Sequence, residues 1–376
     1  LWAGGAGTVN VPAGAYVVDL AQPQGRLARA LLEPEAVLDT AFVRQELEAR
    51  RTGQPDRFYD VTAWALPYTW RVRAWAVRGA VGGVEPMSGA PGAGAAPDGS
   101  PNASPDAAPD GAARPAFGWA FAPGSEASLR LLAGLLADSV RVWHAPAAFT
   151  LGGARFPRGA FVVRTAANDT SVHATVRRLA AEAGAAVAPL ASALVDTGTD
   201  LGSGSVVPVR PPRVALLAGD GVNGQSFGWT WFAFDQRLRY PTTPIEGAAL
   251  PGALARFDVL VVPSASPAAL DRVLSEAGRE RVQQWVRAGG VLVTLDEATA
   301  WLAGERTGLA RLRLRRDSAR ADGEPGAPLP ARVPGAVMRA AIDTLSPLLA
   351  GVRDVELPVL VNTDRVYQAP RDQRPG

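Results

Sequence analysis

Residues 213–232, RVALLAGDGVNGQSFGWTWF, decide the fold that we predict for this chain. Within them, Val214–Ala218 is an apolar run of strand length, and it is followed by a glycine-rich polar loop and an aromatic run of helical character. A strand, a glycine loop and a helix in this order open a parallel α/β sheet, whose loops at the strand ends usually carry ligands. The stretch therefore predicts an α/β fold.

The same alternation continues towards the carboxyl end. Apolar runs predict strands at residues 214–218, 242–245, 257–263 and 291–295. Other segments predict helices at residues 228–239, 279–288 and 298–303. The order of these elements in residues 213–302 resembles that of amidotransferase-like and flavodoxin-like folds, so we predict a doubly wound parallel sheet in an α/β domain over residues 213–376. This domain becomes truncated or irregular after about residue 304, where a helix near 337–345 and a strand at 358–362 are predicted.

A smaller α/β region over residues 117–212 precedes this domain, and prolines mark the boundary between them. Residues 156–163, FPRGAFVV, repeat the pattern of residues 11–18, VPAGAYVV, and each copy predicts a turn that leads into a strand. Residues 82–116 contain mostly Gly, Ala, Pro, Ser and Asp, so we predict a flexible, disordered linker there. Helices are predicted at residues 26–35, 40–51 and 171–183, and a helix followed by a strand over 125–142.

Composition limits the function classes. The 38 basic and 36 acidic residues leave a net charge of +2, which gives no electrostatic basis for binding nucleic acid. The absence of cysteine excludes disulfides, thiolate zinc sites and a cysteine nucleophile. No run approaches the roughly 18 apolar residues of a membrane span. We also expect no signal peptide in this segment.

The loop after the first predicted strand contains a literal G-x-G-x-x-G, formed by Gly219, Gly221 and Gly224, with Glu246 near the position of a ribose-binding acid. This spacing raises the hypothesis of a dinucleotide-dependent enzyme. Bulky residues follow the third glycine, however, and a helix predicted only from residue 228 would hold its N-terminus away from a pyrophosphate. An ordinary loop between a strand and a helix is the alternative interpretation.

The candidate ligand-binding residues are Asp220, Asn223, Ser226 and Trp229, because loops after parallel strands face the crevice at the sheet edge. Asp296 is a fifth candidate, because it lies where a predicted strand turns into a helix. An aspartate at this position is ordinarily an N-cap, so capping is the alternative role. The sequence offers no catalytic residue.

The two histidines, His144 and His173, belong to neither a His-x-x-Glu nor a His-x-x-x-His motif, so we predict no metal ligand and no cofactor in this segment. His173 falls on a predicted helix, and we expect it to be exposed or half-buried. A zinc site made by bringing both histidines together in the fold is the alternative.

Four segments carry a resemblance to a known family: VPAGAYVVDLAQPQGRLARALLEPE (11–35), FYDVTAWALPY (58–68), FPRGAFVV (156–163) and SGSVVPVRPPRVALLAGDGVNGQSFGWTWFAFDQRLRYP (203–241). They resemble the post-catalytic region of large bacterial zinc carboxypeptidases, which are carboxypeptidase A-like metallopeptidases with a C-terminal class I glutamine amidotransferase-like domain. The resemblance implies an exported parent that binds one zinc ion. Such a parent is a hydrolase that removes C-terminal residues from peptides through a metal-activated water and a glutamate base.

The resemblance also has a clear gap. The family's zinc site uses a His-x-x-Glu pair and a later histidine, which no stretch here supplies, so the catalytic domain would lie upstream of Leu1. Residues 1–81 would then be the tail of a peptidase-type domain. Residues 291–302, VLVTLDEATAWL, match the segment that carries the amidotransferase cysteine, but Asp296 stands in its place. Without a cysteine, or a histidine in residues 213–376, glutamine hydrolysis is not expected.

Three hypotheses of function follow. In the first, the chain is an accessory, non-catalytic segment of a secreted or periplasmic zinc carboxypeptidase-like protein. Its partners would be the upstream peptidase domain and, through the parent, a peptide or protein substrate. In the second, it is a stand-alone module that binds a small ligand at residues 219–229. The third is the dinucleotide-dependent enzyme suggested by the glycine motif.

Overall fold

The structure is a computed structural model that describes part of the chain. It describes residues 8, 10–11, 14–33, 38–54, 65–70, 72–79, 81–87, 115–310, 312–314, 336–343, 346, 349, 356–361, 365 and 367–368. Most of the linker predicted at residues 82–116 and most of the segment 58–68 therefore lie outside the described residues.

The described helices are α1 (Gly25–Leu32), α2 (Thr40–Arg51), α3 (Leu66–Thr69), α4 (Glu126–Ala137), α5 (Val172–Ala183), α6 (Gly224–Phe232), α7 (Leu250–Ala253), α8 (Pro267–Arg287) and α9 (Ala298–Leu302). Short 3-10 helices span Thr165–Ala167 and Leu254–Arg256, and a π-helix spans Ala233–Leu238. The described strands are β1 (Gly118–Phe121), β2 (Trp143–His144), β3 (Phe149–Leu151), β4 (Ala154–Phe156), β5 (Phe161–Arg164), β6 (Ala188–Leu190), β7 (Val207–Pro208), β8 (Val214–Ala218), β9 (Thr242–Glu246), β10 (Val259–Val262), β11 (Val291–Thr294), β12 (Arg313–Leu314), β13 (Ala336–Ala341), β14 (Glu356–Val361) and β15 (Tyr367–Gln368).

The chain divides into two compact units. The first contains residues 1–103, 315–343 and 354–366. The second contains residues 104–314, 344–353 and 367–376.

In the first unit, β13 and β14 pair antiparallel, from Ala336 opposite Val361 to Ala341 opposite Glu356. The helix predicted near residues 337–345 is therefore wrong. The sequence of β13, AVMRAA, has a high intrinsic helix propensity, but propensity is a weak preference that pairing with a neighbouring strand overrides.

The two copies of the repeated pattern behave differently. Residues 156–163 form the predicted turn and lead into β5. By contrast, residues 14–18 of the first copy form a turn but no strand. Helix α2 spans the residues predicted for it, and α1 covers most of the helix predicted at residues 26–35.

The second unit contains a five-stranded antiparallel sheet in the order β6-β1-β5-β2-β7. All of β1 is buried, because its two faces belong to two apolar clusters. Trp119 and Phe121 pack with residues of α4 and α5, whereas Ala120 packs with residues of the β3–β4 hairpin.

The second unit also contains a four-stranded sheet in the order β11-β10-β8-β9. All three pairings are parallel, and Val214 of β8 lies opposite both Thr242 of β9 and Val259 of β10. The strands predicted at residues 214–218, 242–245, 257–263 and 291–295 are thus confirmed, and all of them belong to one sheet.

Both faces of the central strand β8 are packed. Ala215 and Leu217 of β8 enter a cluster with residues of α7, α8 and α9. The alternate residues, Val214 and Leu216, enter a second cluster that includes Phe227 of α6. The described part of the chain is therefore a mixed α/β structure, with one parallel sheet among antiparallel sheets.

Two helices begin earlier than the sequence predicts. Helix α6 begins at Gly224 rather than at residue 228, because the side chain of Asn223 caps its N-terminus. Helix α8 begins at Pro267 rather than at residue 279, after the N-cap Ser266. Ser275, with φ of 58°, interrupts α8, so two helical segments follow each other there.

Arg213 and Asp258 join the amino ends of β8 and β10. The guanidinium of Arg213 donates to both carboxylate oxygens of Asp258, and its backbone N–H also donates to this side chain, at 2.8 Å. These hydrogen bonds stabilise the charged form and lower the pKa of Asp258 to about 2.

We expect the Arg213–Asp258 pair to give a pH-dependent contribution to stability. Because the folded pKa is lowered, this contribution is complete above the ordinary pKa of 3.8 and is lost as the pH falls towards 2. Both side chains are largely exposed, so solvent screening keeps this contribution small. The melting temperatures of wild type and Asp258→Asn should differ at neutral pH, and the difference should shrink as the pH falls from 3.8 through about 2. A difference that does not depend on pH would contradict this account.

Candidate functional site

The carboxyl ends of β8, β10 and β11 lie at the same edge of the parallel sheet. The loop after β8 leads into α6, the loop after β10 leads into α8, and the turn after β11 leads into α9. Three connections that are distant in sequence therefore meet at the carboxyl end of the sheet. Parallel sheets usually bind ligands at this end.

Asn223 joins the first two of these connections. Its side-chain oxygen accepts a hydrogen bond from the backbone N–H of Ser226 at 2.9 Å, which caps α6. Its own backbone N–H donates to the carbonyl oxygen of Ser264 at 2.8 Å. The N-terminus of α6 is thereby held against the loop that follows β10.

Two serines extend this connection to Asp296. The backbone N–H of Ser264 donates to Oγ of Ser226 at 2.9 Å, and Oγ of Ser264 donates to Oδ2 of Asp296 at 2.8 Å. Ser264 is only 7% exposed, whereas the carboxylate of Asp296 reaches the surface. We call Asn223, Ser226, Ser264 and Asp296 the strand-end cluster.

Asp296 has a left-handed backbone, with φ of 47°. Aspartate tolerates this conformation better than most residues do. Helix α9 begins at Ala298 and its N-cap residue is Glu297, so the interpretation of Asp296 as the N-cap is wrong. The carboxylate of Asp296 instead accepts a hydrogen bond from Oγ of Ser264, which follows the neighbouring strand β10.

The other two candidate residues, Asp220 and Trp229, take no part in the hydrogen bonds that define the strand-end cluster. Asp220 is exposed in the loop between two glycines. Trp229 is 65% exposed on α6, with its ring edge-to-face against Phe232 at 5.9 Å between centroids. The structure therefore brings together Asn223, Ser226 and Asp296 and leaves Asp220 and Trp229 exposed on neighbouring positions.

Sequence reasoning missed Ser264. The only local signal was the Pro-Ser pair that ends the predicted strand at residues 257–263, and such a pair is common at strand ends. The importance of Ser264 comes from strand order, since β10 lies between β8 and β11.

The three glycines of the motif, Gly219, Gly221 and Gly224, run from the residue after β8 to the first residue of α6. Helix α6 begins at the third glycine, so the argument that the helix starts too late is wrong. Glu246 ends β9 beside Gly219, as a ribose-binding acid would. However, a methyl group on Gly221 would lie 2.8 Å from Cβ of Ala269 in α8. The second glycine thus accommodates a helix of this protein, where a dinucleotide site would need room for a phosphate.

The histidines lie elsewhere in the second unit. His144 is in β2, and His173 is in α5 and only 6% exposed, so the expectation of an exposed or half-buried His173 is wrong. The indole N–H of Trp119 donates to Nδ1 of His173 at 3.2 Å, which gives this histidine a packing role. Among the described residues, no group of three or more histidine or acidic side chains could hold a metal ion.

Comparisons with known proteins add no assignment. No family model, no curated protein and no solved structure matches this chain. Within the described part of the chain, no helix has the length and apolar character needed to cross a bilayer.

The strand-end cluster predicts a specific stability change. Replacing Ser226 with alanine removes the acceptor of the buried Ser264 N–H, so we expect the free energy of unfolding to fall by about 1–3 kcal/mol. Chemical denaturation of the purified chain measures this change. The matched control is Ser205→Ala at an exposed site, for which we expect a change within about 0.5 kcal/mol. Equal effects of the two substitutions would contradict the role given to Ser226.

Proposed function

We propose that this chain is a non-catalytic accessory region of a bacterial, exported zinc carboxypeptidase-like protein. In this proposal, the parallel sheet belongs to an amidotransferase-like, doubly wound domain that has no nucleophile. The zinc ion, the proteolytic activity and the peptide substrate belong to the parent's upstream peptidase domain, and this region packs on that domain or holds its substrate.

The observation that carries the proposal is the turn at Asp296. A residue with positive φ, between a parallel strand and a helix, has the conformation of the elbow on which amidotransferase-like domains hold their cysteine. Here the elbow presents a carboxylate that is hydrogen-bonded to Ser264. Both histidines are in elements of the antiparallel-sheet region, so none adjoins the elbow to act as a base.

The strand order supports the doubly wound part of the proposal. Counted along the chain from β8, the four strands have the spatial order 2-1-3-4, which is that of flavodoxin-like sheets. The helices also divide between the two packed faces, with α6 in one cluster and α7, α8 and α9 in the other.

The test compares the intact native protein with this chain alone, through zinc content and trimming of peptides from their C-terminus. We expect the intact protein to contain about one zinc ion and to trim peptides, because a single metal-activated water suffices for this hydrolysis. We expect the isolated chain to do neither. An intact protein that is metal-free and inert would refute the accessory function.

A second candidate function, a small-ligand-binding module, is favoured by the position of the strand-end cluster. In the 2-1-3-4 order, the connections leave in opposite directions at the ends of β8 and β10, and ligands of such sheets bind at that crevice. Asn223 and Asp296 offer exposed polar groups there, and Trp229 offers an exposed ring on the helix that follows.

This second candidate is tested by the thermal stability of the chain in the presence of simple sugars and nucleotides, since a bound ligand stabilises the native state. The candidate predicts a saturable rise in melting temperature that Trp229→Ala abolishes. Trp231→Ala, which removes a second exposed tryptophan of α6, should preserve it. NAD and NADP belong in the same series, and failure of both to shift the melting temperature would exclude the dinucleotide hypothesis.

A further inference from the structure

Strand β11 is at one edge of the parallel sheet, and among the described strands it pairs only with β10. Two of its side chains are largely exposed, Val291 at 52% and Val293 at 39%. Their neighbours in register, Val259 and Val261, pack in the cluster that contains Phe227 of α6. Since residues opposite each other point to the same face, the two exposed valines lie on the α6 face of the sheet.

The opposite edge of the sheet is built differently. Strand β9 reads TTPIE, so it contains Pro244, which has no N–H to donate, and the charged Glu246. Proline and charge are the features with which edge strands avoid pairing with other chains. Strand β11 reads VLVT and has neither. Among the residues that the structure describes, one edge is therefore protected against pairing, and the other is apolar and has no strand paired to its outer side.

We propose that β11 pairs antiparallel with β11 of a second copy of this chain, across a two-fold axis near Leu292. The two four-stranded sheets then form one continuous sheet. In this register, Val291 lies opposite Val293 of the second copy, so the exposed valines of both copies form one apolar strip on the α6 face. Burial of this strip removes exposed apolar surface from water in both copies.

The charges near the two ends of β11 favour a second copy of this chain as the pairing partner. The strip itself carries no charged side chain, so two identical strands meet without repulsion. Arg287 is exposed at the end of α8, with three residues between it and β11, and Asp296 is exposed after β11, with one residue between them. Antiparallel pairing places the basic end of one strand beside the acidic end of the other, which is the complementarity that an isologous contact requires.

Sedimentation of the full chain over a concentration series tests the proposal. We expect a species of twice the 39.1 kDa chain mass. Val293→Lys should weaken the dimer by more than about tenfold, because it places two lysines in the apolar strip. Thr243→Lys adds the same charge at an exposed position of the protected edge and should dimerise like the wild type. A wild-type chain that remains monomeric throughout, or a Val293→Lys variant that dimerises normally, would overturn the proposal.

Disulfide trapping tests the register without depending on a lysine at the edge. The chain has no cysteine, so introduced thiols have no competitors. Residues opposite each other in an antiparallel pair have Cβ atoms about 4.5–5.5 Å apart, which is close to the spacing that a disulfide needs. An oxidised mixture of V291C and V293C should contain a reducible covalent dimer. A mixture of V291C and T243C should contain none, and absence of the dimer from the first mixture would overturn the pairing.

Discussion

Replacing Leu216 with alanine is expected to lower the free energy of unfolding of the second unit by about 2–5 kcal/mol. Leu216 lies in β8, near the middle of the parallel sheet, and its side chain is 0% exposed. It packs with Val214 and Val261 of the sheet and with Phe227 and Phe234, which follow β8 in the chain. Truncation removes these contacts and leaves a cavity that rigid strands cannot close.

The control for this substitution is Leu194→Ala, because Leu194 is 69% exposed and loses the same atoms. We expect its effect to stay within about 0.5 kcal/mol. Urea denaturation followed by tryptophan fluorescence measures both variants. If the two leucines gave equal changes, β8 would not be the buried strand that the proposed site depends on.

Replacing Gly118 with alanine is expected to cost about 3 kcal/mol or more, because there is no room for a side chain at this position. Gly118 begins β1 and lies opposite Arg164 of β5. A methyl group here would overlap the carbonyl oxygen of Val163 and would lie 3.2 Å from Cα of Arg164. Since these are backbone atoms of the paired strand, relief requires the two strands to separate.

The matched control is Gly204→Ala, because a methyl group at Gly204 meets no atom within 4 Å. We expect a change within about 0.5 kcal/mol for this control. The melting temperatures of the two variants check the prediction, and limited proteolysis shows whether the antiparallel sheet has opened. A Gly118→Ala variant as stable as the control would contradict the close approach of β1 and β5.

The strands of the parallel sheet could be predicted because their signal is local. Val214–Ala218 was predicted to the residue, since a short apolar run between polar loops has few alternatives. Helix α2 was predicted to the residue because its apolar spacing and its charges agree. The helix prediction near residues 337–345 is wrong because the local preference for helix opposes the pairing that β13 makes with β14.

The candidate site was predictable in part. Asn223, Ser226 and Asp296 were selected because polar residues at the ends of parallel strands gather at one edge. The sequence does not single out Ser264, because a serine after a strand is common. Only its position between Ser226 and Asp296 in the fold distinguishes it. The reason for a glycine at position 221 was also hidden, since its neighbour Ala269 is distant in sequence.

By itself, the sequence determined the four strands of residues 213–302 and the approximate positions of three of the helices between them, and it indicated that polar residues follow the ends of these strands. These properties depend on the spacing of apolar residues over a few turns or strand pairs, which is a short-range signal. Only the tertiary structure decided that β10 lies between β8 and β11, that Asp296 accepts a hydrogen bond from Ser264, and that β11 has an unprotected edge. Strand order and register are set by contacts between residues far apart in the chain, where many arrangements satisfy the same local pattern.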